Sequence, residues 1–159
     1  MRFTTKTEYG LICLVNMANH YPKKLVMSIK EISQEEQYSL SYLEKIFQSL
    51  RSADVVNAHH GKQGGYSLAR HPAQITLKQI IEALEGSTFD IYCEPDAQKN
   101  IVCTHLCLCG MKPVWKTTRR ILDNFYGSIT LEMIATQQTI TADLMPHEVN
   151  ITLDTEVKR

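Results

Sequence analysis

No long apolar run is present: nothing in the 159 residues approaches the ~20 consecutive apolar positions that a membrane-spanning helix requires. The first ten residues, MRFTTKTEYG, hold no apolar core and no small-residue cleavage motif, so no export signal is expected and a cytoplasmic location is. Excess charge is also missing, with 17 Lys and Arg against 17 Asp and Glu. There is no internal repeat and no low-complexity segment. A nucleotide-binding glycine loop, a Cys-x-x-Cys on a strand–helix–strand pattern, a Ser/His/Asp set and a carboxylate pair are all lacking, which argues against an enzyme. Cysteine is scarce except in one place, since four of the five lie between positions 93 and 109. What remains is an ordinary soluble composition, 43% hydrophobic and 21% charged, long enough for one cored domain or for a small domain plus an oligomerisation arm.

The balanced charge is unevenly spread. Residues 1–72 carry nine Lys/Arg against six Asp/Glu, and residues 73–159 carry eight against eleven. A mildly basic front half suits an anionic partner. Residues 5–20 read as a helix, with Leu11, Val15 and Ala18 at helical spacing and Ile12 and Leu14 widening the stripe. Tyr21-Pro22 ends it, because proline cannot continue the hydrogen-bond ladder. Ser28 and Glu31 form a capping box that opens a second helix. A third follows, capped by Ser39 or by Ser41 with Glu44 at the capping-box offset, and striped by Leu40, Leu43, Phe47 and Leu50.

Asp54 to His59 then looks extended, HGKQGG is a turn, and YSLAR returns as a strand. Thr76 and Gln79 open a helix over 76–85 that stops at Gly86. A long helix is predicted from Lys112 or Pro113, with Trp115, Ile121, Leu122 and Phe125 on its apolar side and Lys116, Arg119 and Arg120 on its wet side. Residues 130–136 read as one short helical turn, and periodicity fades from Gln137.

Three helices followed by a two-stranded hairpin make a winged helix-turn-helix, a mainly α fold with a small β wing. In such a fold the second helix of the turn motif enters the major groove. The residues at its start are Ser39, Ser41, Tyr42, Glu44 and Lys45. Small hydroxyls suit phosphate or base contacts, Glu44 can accept from cytosine N4, and Lys45 can reach guanine or phosphate. Arg51, further along, is better placed for the backbone. The wing turn brings His60 and Lys62 towards the minor groove or phosphates.

The cysteines follow the pattern C-x9-C-x3-C-x-C, at Cys93, Cys103, Cys107 and Cys109. Thiolates are the usual ligands of iron–sulfur clusters. Zinc accepts the same ligands, although its structural sites favour C-x2-4-C knuckles. Cys13, set among Ile12, Leu14 and Val15, reads as a small buried hydrophobe. Trp115 reads as a core or interface anchor.

The stretches MRFTTKTEYGLICLVNMA, SLSYLEKIFQSLR, GKQGGYSLAR and ITLKQIIEALEG, with the cysteine loop and PVW after it, resemble the Rrf-two-type family of bacterial winged-helix regulators. The likeness spans about residues 1–135, and the cysteines point to the cluster-binding branch that includes IscR and NsrR. It implies a homodimeric repressor that reads a pseudo-palindromic double-stranded operator. The chain is then expected to divide into a winged domain at 1–86, a cluster-binding loop at 87–111 and a dimerisation helix region at 112–136, with the faded periodicity of 137–159 reading as a mobile tail.

In the family three cysteines hold the cluster, the last two five residues apart and a tryptophan six after the last. Cys93, Cys103 and Cys109, with Trp115, match that register and leave Cys107 as an extra. The resemblance implies a [2Fe–2S] cluster. The histidine that IscR carries three residues after its last cysteine is Lys112 here. The fourth ligand is then Glu8 of the partner subunit, as in NsrR-like relatives, or Cys107, or His105. Ser41, Tyr42 and Glu44 match DNA-contacting positions, and His60 stands where relatives often carry arginine.

Overall fold

The computed structural model describes residues 3–61, 64–89 and 110–138. Helix α1 spans Thr5–His20, α2 Ile29–Glu36 and α3 Leu40–Ser52. Strands β1, Val56–His59, and β2, Gly65–Leu68, form an antiparallel pair with Val56 opposite Leu68 and His59 opposite Gly65. A short 3-10 turn at Pro72–Gln74 leads to α4, Leu77–Glu85. The chain resumes with α5, Met111–Ser128, and α6, Leu131–Ala135. The expected class holds: the protein is mostly helical with a two-stranded wing.

Local chemistry sets several boundaries. The Ser28 side chain accepts from the Glu31 backbone and the Glu31 carboxylate accepts from the Ser28 backbone, the reciprocal bonds of a capping box. Thr76 and Gln79 repeat this at the start of α4. Ser39 caps α3 by position, without a side-chain bond to the helix, and Ser41 lies inside the first turn. The Ser41–Glu44 capping box therefore does not form. Between α2 and α3 the chain turns at Gln37 with φ 58°, a left-handed conformation carried by a residue with a Cβ.

The core is one cluster. Cys13, Leu14, Met17 and Ala18 of α1 meet Ile32 of α2 and Leu43, Ile46, Phe47 and Leu50 of α3. Val55, Val56, Ile75, Ile80, Leu84 and Leu131 complete it. The buried face of α1 differs from the expected stripe: Leu11 and Val15 are only half-buried and Ile12 is 42% exposed. Two small residues explain the phase. Thr7 is fully buried, and a Cβ on Gly10 would lie 2.6 Å from Leu84 Cδ1, so α1 and α4 approach closely there.

Both ends of the cysteine segment are held by α5. Thr88 donates through its hydroxyl to Asp123, and Arg119 donates twice to the Phe89 carbonyl, at 3.2 and 2.7 Å. Arg119 is thus half-buried and turned towards Phe89, not out on the wet face expected for it. Its planar guanidinium can aim two N–H donors at one acceptor. The Phe89 ring sits 6.0 Å from Trp115, one turn from the start of α5. At the other end of α5 the chain rejoins the head. Leu77 N donates to Ile129 O and Leu131 N to Ile75 O, both at 2.8 Å.

Candidate nucleic-acid interface

Helix α3 buries Leu43, Ile46, Phe47 and Leu50 completely. At about 100° per residue, the direction opposite these four is shared by Ser41, Lys45 and Gln48. Glu44 and Arg51 lie roughly 70° and 90° to one side of that direction. All five are exposed. Among the described residues, none of their side chains has an ion-pair or hydrogen-bond partner; at Lys45 only the backbone carbonyl is engaged, by Ser49 Oγ at 3.2 Å. Ser39, also exposed, leaves its hydroxyl free of a capping bond.

Tyr42 is placed differently. It is half-buried, and its ring meets Tyr9 of α1 edge-on at 5.8 Å. Tyr9 in turn stacks flat on Tyr38 at 3.8 Å. Tyr42 therefore braces α3 against α1.

The wing is stitched to the connector between α1 and α2. Met27 N donates to Tyr66 O at 2.9 Å and Tyr66 N to Met27 O at 2.8 Å. Gly65 permits this approach, since a Cβ there would lie 2.3 Å from the Met27 carbonyl oxygen. Behind the hairpin, Phe47 and Tyr66 pack at 4.7 Å. At the wing tip His60 is exposed, and His59 shares a 2.8 Å hydrogen bond with Ser67 Oγ. Lys62 lies outside the described residues.

Cys93, Cys103, His105, Cys107 and Cys109 also lie outside them, so the donor chemistry of the loop is read from its composition. Among the described residues no group of three or more His, Cys, Asp or Glu is placed to hold a metal. Glu8 is exposed and lines an open depression of about 310 Å³ with Phe3, Thr4 and Thr5. Cys13 is fully buried, and burial together with the nearby Glu36 pushes its thiol up to about 12, which keeps it protonated and inert.

One residue near Glu8 escaped sequence reading. Glu85, the last residue of α4, accepts from Thr4 N at 2.8 Å, Thr4 Oγ1 at 2.7 Å and Thr7 Oγ1 at 2.5 Å. It caps α1 from another helix, in place of the missing Thr4 side-chain cap. Partial burial raises its carboxyl, but the bonds from Thr7 and Thr4 and the charge of Lys6 outweigh this and hold it below the usual range.

The Rrf2 family of iron-dependent transcriptional regulators matches residues 3–137. The chain belongs to that family. An HTH-type transcriptional regulator of Neisseria meningitidis serogroup A is 33% identical over 138 residues, covering 87% of this chain and 90% of the relative. CymR, the global cysteine regulator of B. subtilis, shares 28% identity with a TM-score of 0.67, over 87% of this chain and 99% of its own. The IscR of T. potens shares 29% with a TM-score of 0.62, over 91% and 96%. This Rrf2 protein is thus a DNA-binding transcriptional regulator and not an enzyme. No helix among its described residues is long and apolar enough to cross a membrane.

Proposed function

We propose that this Rrf2 regulator is a homodimeric repressor whose two heads read a pseudo-palindromic operator, and whose DNA affinity is set by a cysteine-ligated iron–sulfur cluster. The spacing of Cys93, Cys103, Cys107 and Cys109 carries the reading. Support comes from the flanks of that segment, which are both joined to α5, through Thr88 and Phe89 on one side and Met111 on the other. Four thiols and nearby carboxylates form a donor set suited to iron–sulfur chemistry. Cys93, Cys103 and Cys109 would hold the group, with Glu8 of the partner subunit, Cys107 or His105 as the fourth ligand. Bound there, a [2Fe–2S] cluster would supply a centre whose oxidation, loss or nitrosylation changes the charge and ligation of the loop.

The chain's own residues carry that change outward. Thr88 and Phe89 transmit displacement of the loop to α5 through Asp123 and Arg119. Glu85 transmits it to the start of α1, beside Glu8. A coupling of about 1–3 kcal/mol between loop and head changes operator affinity by about 5–150-fold. Ser39, Ser41, Glu44 and Lys45 meet the major groove, Arg51 and Lys62 the phosphates, and His60 the flanking minor groove. Tyr42 supports them from behind as well as touching DNA.

The likeness to CymR favours a second reading, a cluster-free regulator that responds to a metabolite. Anaerobic purification, with the visible spectrum and iron, sulfide and zinc measured on one sample, separates the two. Absorbance between roughly 320 and 460 nm with iron matching sulfide is expected. Its loss on substitution of Cys103 or Cys109 by alanine is expected too. A colourless protein containing zinc, or one that stays colourless after reconstitution with iron and sulfide, overturns the cluster reading.

A further inference from the structure

We infer that Gln48 is a base-reading residue, and that it selects an adenine in each half-site. The inference rests on α3 being the DNA-reading helix. Gln48 lies within about 30° of the direction opposite the buried face of α3, closer to it than Glu44 or Arg51. It is exposed, and its side-chain amide has no hydrogen-bond partner among the described residues. Only its backbone carbonyl is engaged, by Ser52 Oγ at 2.9 Å. Its neighbours on that face divide the remaining work. Ser41 is too short to span a base edge, and Lys45 carries a point charge suited to phosphate or guanine.

Tyr42, which would otherwise compete for the groove floor, is held against Tyr9. A glutamine presents one acceptor and one donor pair side by side, the complement of adenine N6–H and N7 in the major groove. Gln48 is four residues beyond Glu44, or about 6 Å along the helix axis. At 3.4 Å per base pair it addresses a pair about two steps from the one that Glu44 meets. The residue carries no charge, so it adds selectivity without adding to the counterion release that drives overall affinity.

The test begins with selection from a randomised duplex library by the full-length protein, as purified anaerobically and again after removal of any metal. Single-base variants of the selected operator are then titrated with wild type, Gln48→Ala and Lys45→Ala by fluorescence anisotropy over a salt series. Wild type is expected to prefer adenine at one position per half-site by roughly tenfold or more. Gln48→Ala should lose that preference there alone, and leave both other positions and the salt slope unchanged. Lys45→Ala should lower the slope by about one unit. Retention of every preference by Gln48→Ala, or equal weakening on all sequences, overturns the assignment while leaving α3 as the reading helix. Failure of both wild-type forms to select any sequence overturns that helix placement, and this assignment with it.

Discussion

Replacing Glu85 tests whether α1 is held at its start by a carboxylate from another helix. In Glu85→Ala the two Thr4 donors turn to water, at a cost of about 0.5 kcal/mol each. Thr7 is fully buried, so its hydroxyl loses its partner with no solvent to replace it, at about 1–3 kcal/mol. The expected loss is about 2–4 kcal/mol at pH 7. For a chain of this length that lowers Tm by about 4–16 °C. Glu85→Gln keeps an acceptor oxygen in place but removes its charge. Charge roughly doubles the strength of such bonds, so this variant should lose about 1 kcal/mol.

Acid distinguishes the bonds from mere packing. The folded carboxyl lies below its usual range while the unfolded one titrates near 4.3. Its contribution is therefore complete above about pH 4.3 and is lost as pH falls through the lower folded-state value. The gap between wild type and Glu85→Gln should be full at pH 7 and narrow below about pH 4. Adding Glu85→Ala to Thr7→Val should cost less than the sum of the two, because both break the Thr7–Glu85 bond while only Glu85→Ala releases Thr4. Urea denaturation of the metal-free protein, followed by far-UV circular dichroism from pH 7 to pH 3, measures all of this. A Glu85→Ala protein within 0.5 kcal/mol of wild type, or a wild-type advantage over Glu85→Gln that persists undiminished at pH 3, refutes the reasoning.

Two backbone substitutions should move stability in opposite directions. Gln37 is exposed with φ 58°, so Gln37→Gly should relieve left-handed strain and stabilise the protein by about 0.5–1 kcal/mol in the same titration. Gly65→Ala would drive a methyl into the Met27 carbonyl and part the two bonds joining Met27 to Tyr66. A loss of about 2 kcal/mol is expected, together with weaker operator binding in the anisotropy assay.

Much of the head was legible from local signals. The boxes at Ser28 and Thr76 are short-range chemistry, and both formed as their spacing predicted. Of the stripe Leu40, Leu43, Phe47 and Leu50, the last three are buried and Leu40, at the start of α3, is exposed. The phase of α1 was not legible. Its close approach to α4 uses Thr7 and Gly10, which carry no hydrophobic signal. Arg119 and Glu85 were missed for a related reason. Their partners are a backbone carbonyl and the turn of a distant helix, separated from them by 30 and about 80 residues. Gln48 stands on the exposed face that the periodicity of α3 defines, but beyond the first turn, where base contacts are expected. The cysteine spacing was plain, whereas which of those sulfurs face one another depends on a path that no residue pattern encodes.

The pairing of Leu77 with Ile129 and of Leu131 with Ile75 closes a circuit. The chain departs from the far end of α4, runs through the cysteine segment and α5, and returns beside the start of the same helix, about 13 Å from where it left. Everything between Gly86 and Ser128 is an excursion with fixed terminals. Leu131, beyond its return, seals the head's core whatever the excursion holds. Such a layout is a socket. Whatever residues stand within the circuit, its two terminals are set by the pairing beside α4.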